Sequence, residues 1–285
     1  MNIRSDVVQP AASARRASAA WPAYVTTSVI CHAGAGAAAI ALPQAWPWAL
    51  AAIAANHIAL TAGGLWPRSQ WLGSNWTRLP ASAAARGEIA ITIDDGPDAA
   101  VTPAVLDLLD RHGARATFFC IASRARAHPE LCREIVRRGH SVQNHSDSHS
   151  HRFSLLGPGA ARREIAAAQA TLADLTGVAP RFFRAPAGLR NPFLAPVLEG
   201  LGLQLVSWTR RGFDTVRREP AAMLARLAGP LAAGDILLAH DGNAAHSESG
   251  RAVLLDVLPG LFTLAHERGL IAVTLPAAAD GAATP

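Results

Sequence analysis

Residues 88–100 read EIAITIDDGPDAA, an apolar run of strand type that ends in two adjacent carboxylates, Asp94 and Asp95, followed by Gly96-Pro97. Two carboxylates sharing one site do not both ionise cheaply unless cations neutralise them. Candidate cations and ligands occur further along the chain. His145 and His149 stand four residues apart in HSDSH, and Arg184 lies in RAPAG. Two imidazoles and one carboxylate form a ligand set for a divalent cation that leaves positions open for water. Arg184 then supplies a second positive charge, and the remaining carboxylate is free to act on the water. Neighbours on a straight strand point to opposite faces. The break at Gly96-Pro97 is therefore what allows both carboxylates to serve one site.

These groups lie far apart in the chain, so the elements that carry them must converge. Seven segments read as strands: IAITID, ATFFCI, HSVQN, RFFRA, LQLVSW, DILLAH and LIAVTL. Amphipathic helical stretches alternate with them, several closing at Gly. Repeated β-α alternation predicts a parallel sheet covered by helices. Seven strands in about 190 residues predict an α/β fold, a distorted (β/α) barrel, closed or nearly so. Reactive groups in such folds collect at the C-terminal strand ends. Here those ends carry Asp94-Asp95, Asn144-His145 with His149, Arg184, Asp214 beyond Trp208, and His240-Asp241. Each has a plain structural reading: a polar loop for H-x-x-x-H, a solvated turn for Asp-Asp-Gly-Pro, a surface ion pair for Arg184, a core histidine for His240. Their convergence on successive strand ends favours a site. Asp147, His151 and His246 read as rim residues outside it.

At this point residues 88–275 resemble the polysaccharide deacetylase family, the NodB-homology carbohydrate esterases of family 4. TIDDGP resembles T-F-D-D-G-P, HSDSH matches H-[ST]-x-x-H, RAPAG resembles R-P-P-[YF]-G, WTRRGFDT occupies the place of an acid-orienting Asp motif, and LAH matches L-x-H. The five occur in the family's order. The resemblance implies that Asp94 is the general base and that Asp95, His145 and His149 hold the metal. It implies that Arg184 holds the base, Asp214 orients the acid and His240 is that acid. It also implies that the backbone N–H of Ala187 helps bind the oxyanion. Ile93 replaces the usual Phe, a change of packing. Ala187 replaces an aromatic residue and so removes a ring facing the sugar. The fourth motif lacks the D-x-x-D-W form.

The implied function is metal-dependent removal of an N-acetyl group from an amino sugar in a polysaccharide or lipid-linked saccharide. The cofactor is a divalent metal, zinc first, with Co, Ni or Fe as alternatives. Amide hydrolysis needs an activated water, a held oxyanion and a proton for the leaving amine, and these residue types supply all three. One alternative is deformylation of a polyprenyl-phosphate-linked amino sugar. Another is a non-catalytic, membrane-tethered glycan-binding protein, whose mark would be a missing base, ligand or acid; none is missing. A non-haem iron oxygenase also uses two His and a carboxylate, but needs neither the second Asp nor an Arg beside it.

The first third of the chain has a different character. Ala17 to Pro67 contains no Asp, Glu, Lys or Arg. Residues 23–42 and 48–65 are each close to the length of about 20 residues that spans a bilayer. Trp21, Trp46, Trp48 and Trp66 fall at the segment ends, where an aromatic belt belongs. The expectation is a membrane hairpin. A signal peptide is the alternative for the first segment, and a pair of buried helices for both. Arg4, Arg15 and Arg16 precede the hairpin, Arg68, Arg78 and Arg86 follow it, and its turn has no basic residue. The positive-inside rule then puts the C-terminal domain on the cytoplasmic face of a bacterial inner membrane; a periplasmic domain is the alternative. His32 and His57 are placed to meet across the hairpin. The chain thus divides into an N-terminal tail (1–20), two membrane helices (21–66), a connector (67–87), the deacetylase-like domain (88–275) and a C-terminal tail (276–285).

The bulk numbers agree with this division. Of 285 residues half are apolar and 16% charged, and the net charge of +5 comes from 26 basic residues, all Arg. That balance suits an anionic surface such as phospholipid, or simply a solvated basic exterior. No basic-aromatic cluster argues for nucleic acid. Cys31, Cys120 and Cys132 form no paired framework, and the last two read as small core residues. The sequence leaves the oligomeric state open.

Overall fold

The structure, a computed structural model, describes residues 21–281. The expected N-terminal tail with Arg4, Arg15 and Arg16, and the last four residues, lie outside them. Helices α1 (Ala23–Ala41) and α2 (Trp46–Leu65) form a hairpin. The domain then runs α3 (Ala81–Ala85), β1 (Glu88–Asp94), α4 (Thr102–Arg111), β2 (Ala116–Cys120), α5 (Ala122–Ala127), α6 (Pro129–Arg137), β3 (Ser141–Asn144) and α7 (Pro158–Thr176). It continues β4 (Phe182–Phe183), α8 (Leu194–Glu199), β5 (Gln204–Leu205), β6 (Arg210–Arg211), α9 (Pro220–Ala228), β7 (Ile236–His240), α10 (Val253–Glu267), β8 (Ile271–Ala272) and α11 (Leu275–Asp280).

Seven parallel strands run in the order β5-β4-β3-β2-β1-β7-β6, and β8 pairs with the start of β1. The two edges, β5 and β6, are the ends of one extended stretch, residues 204–211. Between them Val206 bridges to Trp76 and its N–H reaches the Phe183 carbonyl, and the Thr209 N–H reaches the Ile236 carbonyl. The expected distorted barrel is thus a curled sheet joined by a bent strand, and LQLVSW with the following Arg-Arg contributes to both edges.

Alternation along the strands sorts the side chains. On β1, Ile89, Ile91 and Ile93 join the outer core beneath α4, α9 and α10. Ala90 faces the barrel interior with Phe119, Phe182 and Ile236. Thr92 and Asp94 follow Ala90 on that inner face, so the interior changes from apolar at the base to polar at the mouth. Both faces of β1 are buried, as a covered parallel strand requires. Cys120 and Cys132 are free thiols in the outer core.

Residues 67–87, expected as a connector, are folded into the domain. Leu72, Leu79 and Ala83 are buried, and the Leu79 N–H donates to the Gly234 carbonyl. They escaped notice because their pairing is a few single bridges and one short helix, which leave no periodic pattern. The expected C-terminal tail likewise contains most of α11, with Leu275 and Ala278 buried against the interior core.

Helices α1 and α2 are both long and apolar enough to cross a membrane. They pack on each other, and His32 meets His57 with Nε2 atoms 3.2 Å apart. Their outward apolar side chains, among them Ile40, Trp48 and Ile58, are bare. The ends carrying Trp21 and Trp66 dock on the domain. The Arg190 N–H donates to the Gly64 carbonyl at 3.0 Å, and the Arg190 guanidinium lies buried under the end of α2, donating to the Ser69 carbonyl at 2.8 Å. Burial pulls the Arg190 pKa down to about 10; a cation beside a helix C-terminus is nonetheless favourably placed.

A methyl group at Gly64 would overlap the Arg190 carbonyl, whereas one at Gly34 meets nothing. Gly64→Ala is therefore expected to cost about 1–3 kcal/mol, lowering the Tm of the detergent-solubilised chain by a few degrees or more. Gly34→Ala should leave Tm unchanged in the same thermal scan.

Candidate active site

The mouth of the barrel opens into a cavity of about 540 Å³, lined by Asp94, Asp95, His145, His149, Ala187 and His240 among others. Arg184, at the end of β4, reaches into the barrel from below. Its side chain is 1% exposed and fully engaged. Nη1 donates to Asp94 Oδ1 at 2.6 Å and to Thr92 Oγ1 at 2.7 Å, Nη2 donates to the Ser207 carbonyl at 2.8 Å, and Nε to the Val206 carbonyl at 3.3 Å. The guanidinium also lies 4.2 Å from the Phe119 ring centre. Asp94 is thus held by one oxygen, with the other toward the cavity side, 3.8 Å from His145 Nε2.

Alternation should send Asp95 outward. Instead its φ of 71° turns it back beside Asp94. Three groups hold that turn. The Asp95 carbonyl accepts from Arg124 Nη1 at 2.7 Å, Asn243 Nδ2 donates to Asp95 Oδ2 at 3.1 Å, and Arg124 Nη2 donates to Asn243 Oδ1 at 2.9 Å. Beneath them Asp241 packs against Gly96 so closely that a methyl group there would collide with its carboxylate. Burial pushes the Asp241 carboxyl up to about 7, and Thr102 donates to it at 2.5 Å. Asp241 stands at a strand end in the sequence but without a role there, and Arg124 and Asn243 carry no sequence signal beyond the HDGN that follows β7.

Asp95, His145 and His149 bring their ligand atoms within 4.8 Å of one another. His145 Nδ1 donates to the Arg184 carbonyl at 2.9 Å. That contact assigns its proton and leaves the Nε2 lone pair facing Asp95 Oδ1 at 3.3 Å. His149 Nε2 lies 3.2 Å from the same oxygen. Burial, then the charge of His145, brings the His149 pKa down to about 4, so at neutral pH its ring is uncharged. Asp95 Oδ1 is buried with no hydrogen-bond donor. Lone pairs converging on an orphaned anionic oxygen fit a cation between them.

His240 ends β7. Its Nδ1 donates to Asp214 Oδ1 at 2.8 Å, and its backbone N–H donates to Asp214 Oδ2 at 2.7 Å. Asp214 is fully buried, thrown inward by Phe213 at a φ of 61°. Burial would lower the His240 pKa, but the Asp214 carboxylate outweighs it and the pKa is raised. Ala187, at a φ of 54°, sits opposite in the cavity wall with Trp208. Every non-glycine residue with positive φ among the described residues, namely Asp95, Ser146, His149, Ala187, Phe213 and Asn243, lies in this cavity or next to a residue that shapes it. Such conformations are sterically disfavoured and cluster where surroundings over-determine them.

All eight residues singled out in the sequence therefore meet in one place. Of the three set aside, His151 also lines the cavity; Asp147 is paired with Arg126 at 2.6 Å, and His246 bridges to Ala252.

Comparison with known proteins gives a consistent picture. The family model for polysaccharide deacetylase matches residues 81–206. A chitooligosaccharide deacetylase of Sinorhizobium fredii is 30% identical over 207 residues, covering 70% of this chain and 94% of that protein. A peptidoglycan-N-acetylglucosamine deacetylase of Bacillus cereus is 29% identical over 215 residues, covering 73% and 76%. Among solved structures, a peptidoglycan N-acetylglucosamine deacetylase aligns at a TM-score of 0.65 with 26% identity, over 71% of this chain and 91% of that one. A family 4 carbohydrate esterase from Streptomyces lividans, in complex with acetate, aligns at 0.60 with 31% identity, over 65% and 91%.

Arg184→Met strands the Asp94 charge inside the barrel. It is expected to destabilise the chain by about 3–5 kcal/mol, and adding Asp94→Asn should recover much of that loss. Denaturant unfolding of the single and double variants measures the coupling; additive losses would show that the pair does not interact.

Proposed function

Because this chain belongs to the polysaccharide deacetylase family and is a hydrolase of amide C–N bonds, we propose that it removes the N-acetyl group of an amino sugar with the help of one divalent cation. The observation that carries this reading is the meeting of three groups in one cavity: the Asp95, His145 and His149 ligand set, Asp94 on Arg184, and His240 on Asp214.

Asp95, His145 and His149 are the ligands, and two imidazoles with one carboxylate and open positions suit zinc, with Co, Ni or Fe as alternatives. When bound, the cation supplies Lewis acidity toward the amide carbonyl and acidifies water toward a pKa of about 7. Asp94 accepts the proton of the attacking water. Arg184 holds Asp94 aimed through the 2.6 Å contact on its Oδ1. The Ala187 N–H holds the developing oxyanion. His240 gives its proton to the departing nitrogen, and Asp214 fixes the ring so that Nε2 carries that proton. A small side chain at Ala187 leaves room in the cavity for a substrate that is more than a plain glycan chain.

The hairpin supports a membrane-bound enzyme. We place it in a bacterial inner membrane with the domain on the cytoplasmic side, because Arg68, Arg78 and Arg86 follow α2 while residues 42–45 carry no charge. On that side a lipid-linked amino sugar is favoured over mature peptidoglycan or chitin. A reporter fused to residue 285 and read in intact cells tests the sidedness.

Asp94→Asn is expected to lower kcat on an N-acetylated oligosaccharide by about 10³-fold or more while the protein retains its metal. His145→Ala should lose the metal, read by elemental analysis of the purified chain. An active Asp94→Asn enzyme would remove the base assignment. A separate test addresses the acid. His240 must be protonated to act, so activity falls as pH rises through its raised pKa. Asp214→Asn removes the group that raises it, so the alkaline limb of kcat against pH should move to lower pH. An unmoved limb would take the role from His240.

A further inference from the structure

A second cleft, of about 440 Å³, adjoins the catalytic cavity and shares Trp208 and Arg211 with it. Trp66 and Arg68, at the exit of α2, form one wall, and Phe213 with Arg226 forms another. The cleft therefore joins the end of a membrane-length helix to the active site.

Its charge is one-sided. Arg68, Arg210, Arg211 and Arg226 line it, and no Asp or Glu does. Arg210 is neutralised by Asp235 at 2.7 Å, a carboxylate already paired with Arg78. Among the described residues no carboxylate lies within 4.0 Å of the Arg68, Arg211 or Arg226 guanidinium. Arg211 Nε is buried without a hydrogen-bond partner. The Arg211 and Arg226 guanidiniums lie 4.9 and 5.2 Å from the Phe213 ring centre, and Arg211 lies 5.6 Å from that of Trp208. Stacking holds the planar forks in place and leaves their N–H edges for a ligand. Three unpaired guanidiniums in one cleft repel each other, and an anion between them relieves that repulsion. Arg forks match phosphate oxygens bidentately.

We propose that this cleft binds the phosphate or diphosphate of a lipid-linked amino sugar whose sugar enters the catalytic cavity past Trp208. Trp66 marks the headgroup level, where an interfacial tryptophan sits. The lipid tail then follows α2 into the bilayer, and the sugar end lies on the metal side of Trp208. The proposal rests on the reading of the domain as a membrane-bound amino-sugar deacetylase. It adds that the anionic linkage, rather than the sugar alone, selects the substrate.

The test uses the full chain in nanodiscs of neutral phospholipid, with EDTA present so that no cation bridges the probe. Farnesyl diphosphate should bind and farnesol should not. The double variant Arg68→Gln/Arg226→Gln should weaken farnesyl diphosphate binding by about tenfold or more, and added salt should weaken binding to the wild type. Equal binding by the double variant, or equal binding of farnesol, overturns the proposal. Displacement by the same concentration of phosphatidylglycerol also overturns it, because the cleft would then be a site for bulk headgroups. Release of acetate from N-acetylglucosaminyl farnesyl diphosphate by the zinc-supplied wild type is measured alongside. Diphosphate binding without that turnover rejects the deacetylase reading and keeps the cleft; turnover with undiminished diphosphate binding in the double variant rejects the cleft and keeps the enzyme.

Discussion

A charge pair inside a barrel organises this molecule. Arg184 and Asp94 are both withdrawn from water, which costs several kcal/mol per ion unless geometry and hydrogen bonding repay it. Here the guanidinium satisfies itself on Asp94, Thr92 and the carbonyls of Val206 and Ser207. Those partners lie on β1 and on the bent stretch that joins the two sheet edges. The same residue accepts the His145 imidazole on its backbone carbonyl. One side chain thus ties the proposed base, one proposed metal ligand and the closure of the barrel to a single geometry. The low dielectric that makes the pair expensive also makes each charge at the mouth effective.

Backbone strain is spent in the same region. Asp95, His149, Ala187 and Phe213 adopt left-handed conformations that an unconstrained chain would avoid. Each sits at the cavity or beside a residue that shapes it. Asp95 returns to the side of Asp94, and Phe213 throws Asp214 under His240. The contacts that hold these turns are deep ones, such as Asp241 against Gly96 and Arg124 on the Asp95 carbonyl. The buried aliphatic core beneath α4, α9 and α10 provides the stability against which such conformations persist.

The hairpin is joined to this centre by a short route. Arg190 stands three residues beyond Ala187 and lies under the carbonyl end of α2, while Gly64 accepts its N–H. Pro67, just past α2, accepts the Ser207 hydroxyl at 2.6 Å, beside the carbonyl that Arg184 uses. The end of the second apolar helix is therefore built into the wall of the barrel. The cavity keeps a defined position relative to Trp21, Trp66 and Trp71.

The sequence by itself determined the β-α alternation, the two bare apolar helices, and the five short motifs that carry the site. These are local signals: a period of two, a period near 3.6, or a spacing within a few residues. It determined that Asp94, Asp95, His145, His149, Arg184 and His240 sit at strand ends, because an apolar run followed by a polar break is visible without contacts. Asp214 was legible only through the order of the motifs. The tertiary structure alone decided how Asp95 is turned inward, that Arg124, Asn243 and Asp241 hold it there, and that residues 67–87 belong to the barrel. It also decided that three unpaired arginines share a cleft with Trp66. The reason is physical: each of these depends on groups from distant parts of the chain meeting through single hydrogen bonds, bridges or unpaired charges. Such contacts impose no repeat on the sequence around them.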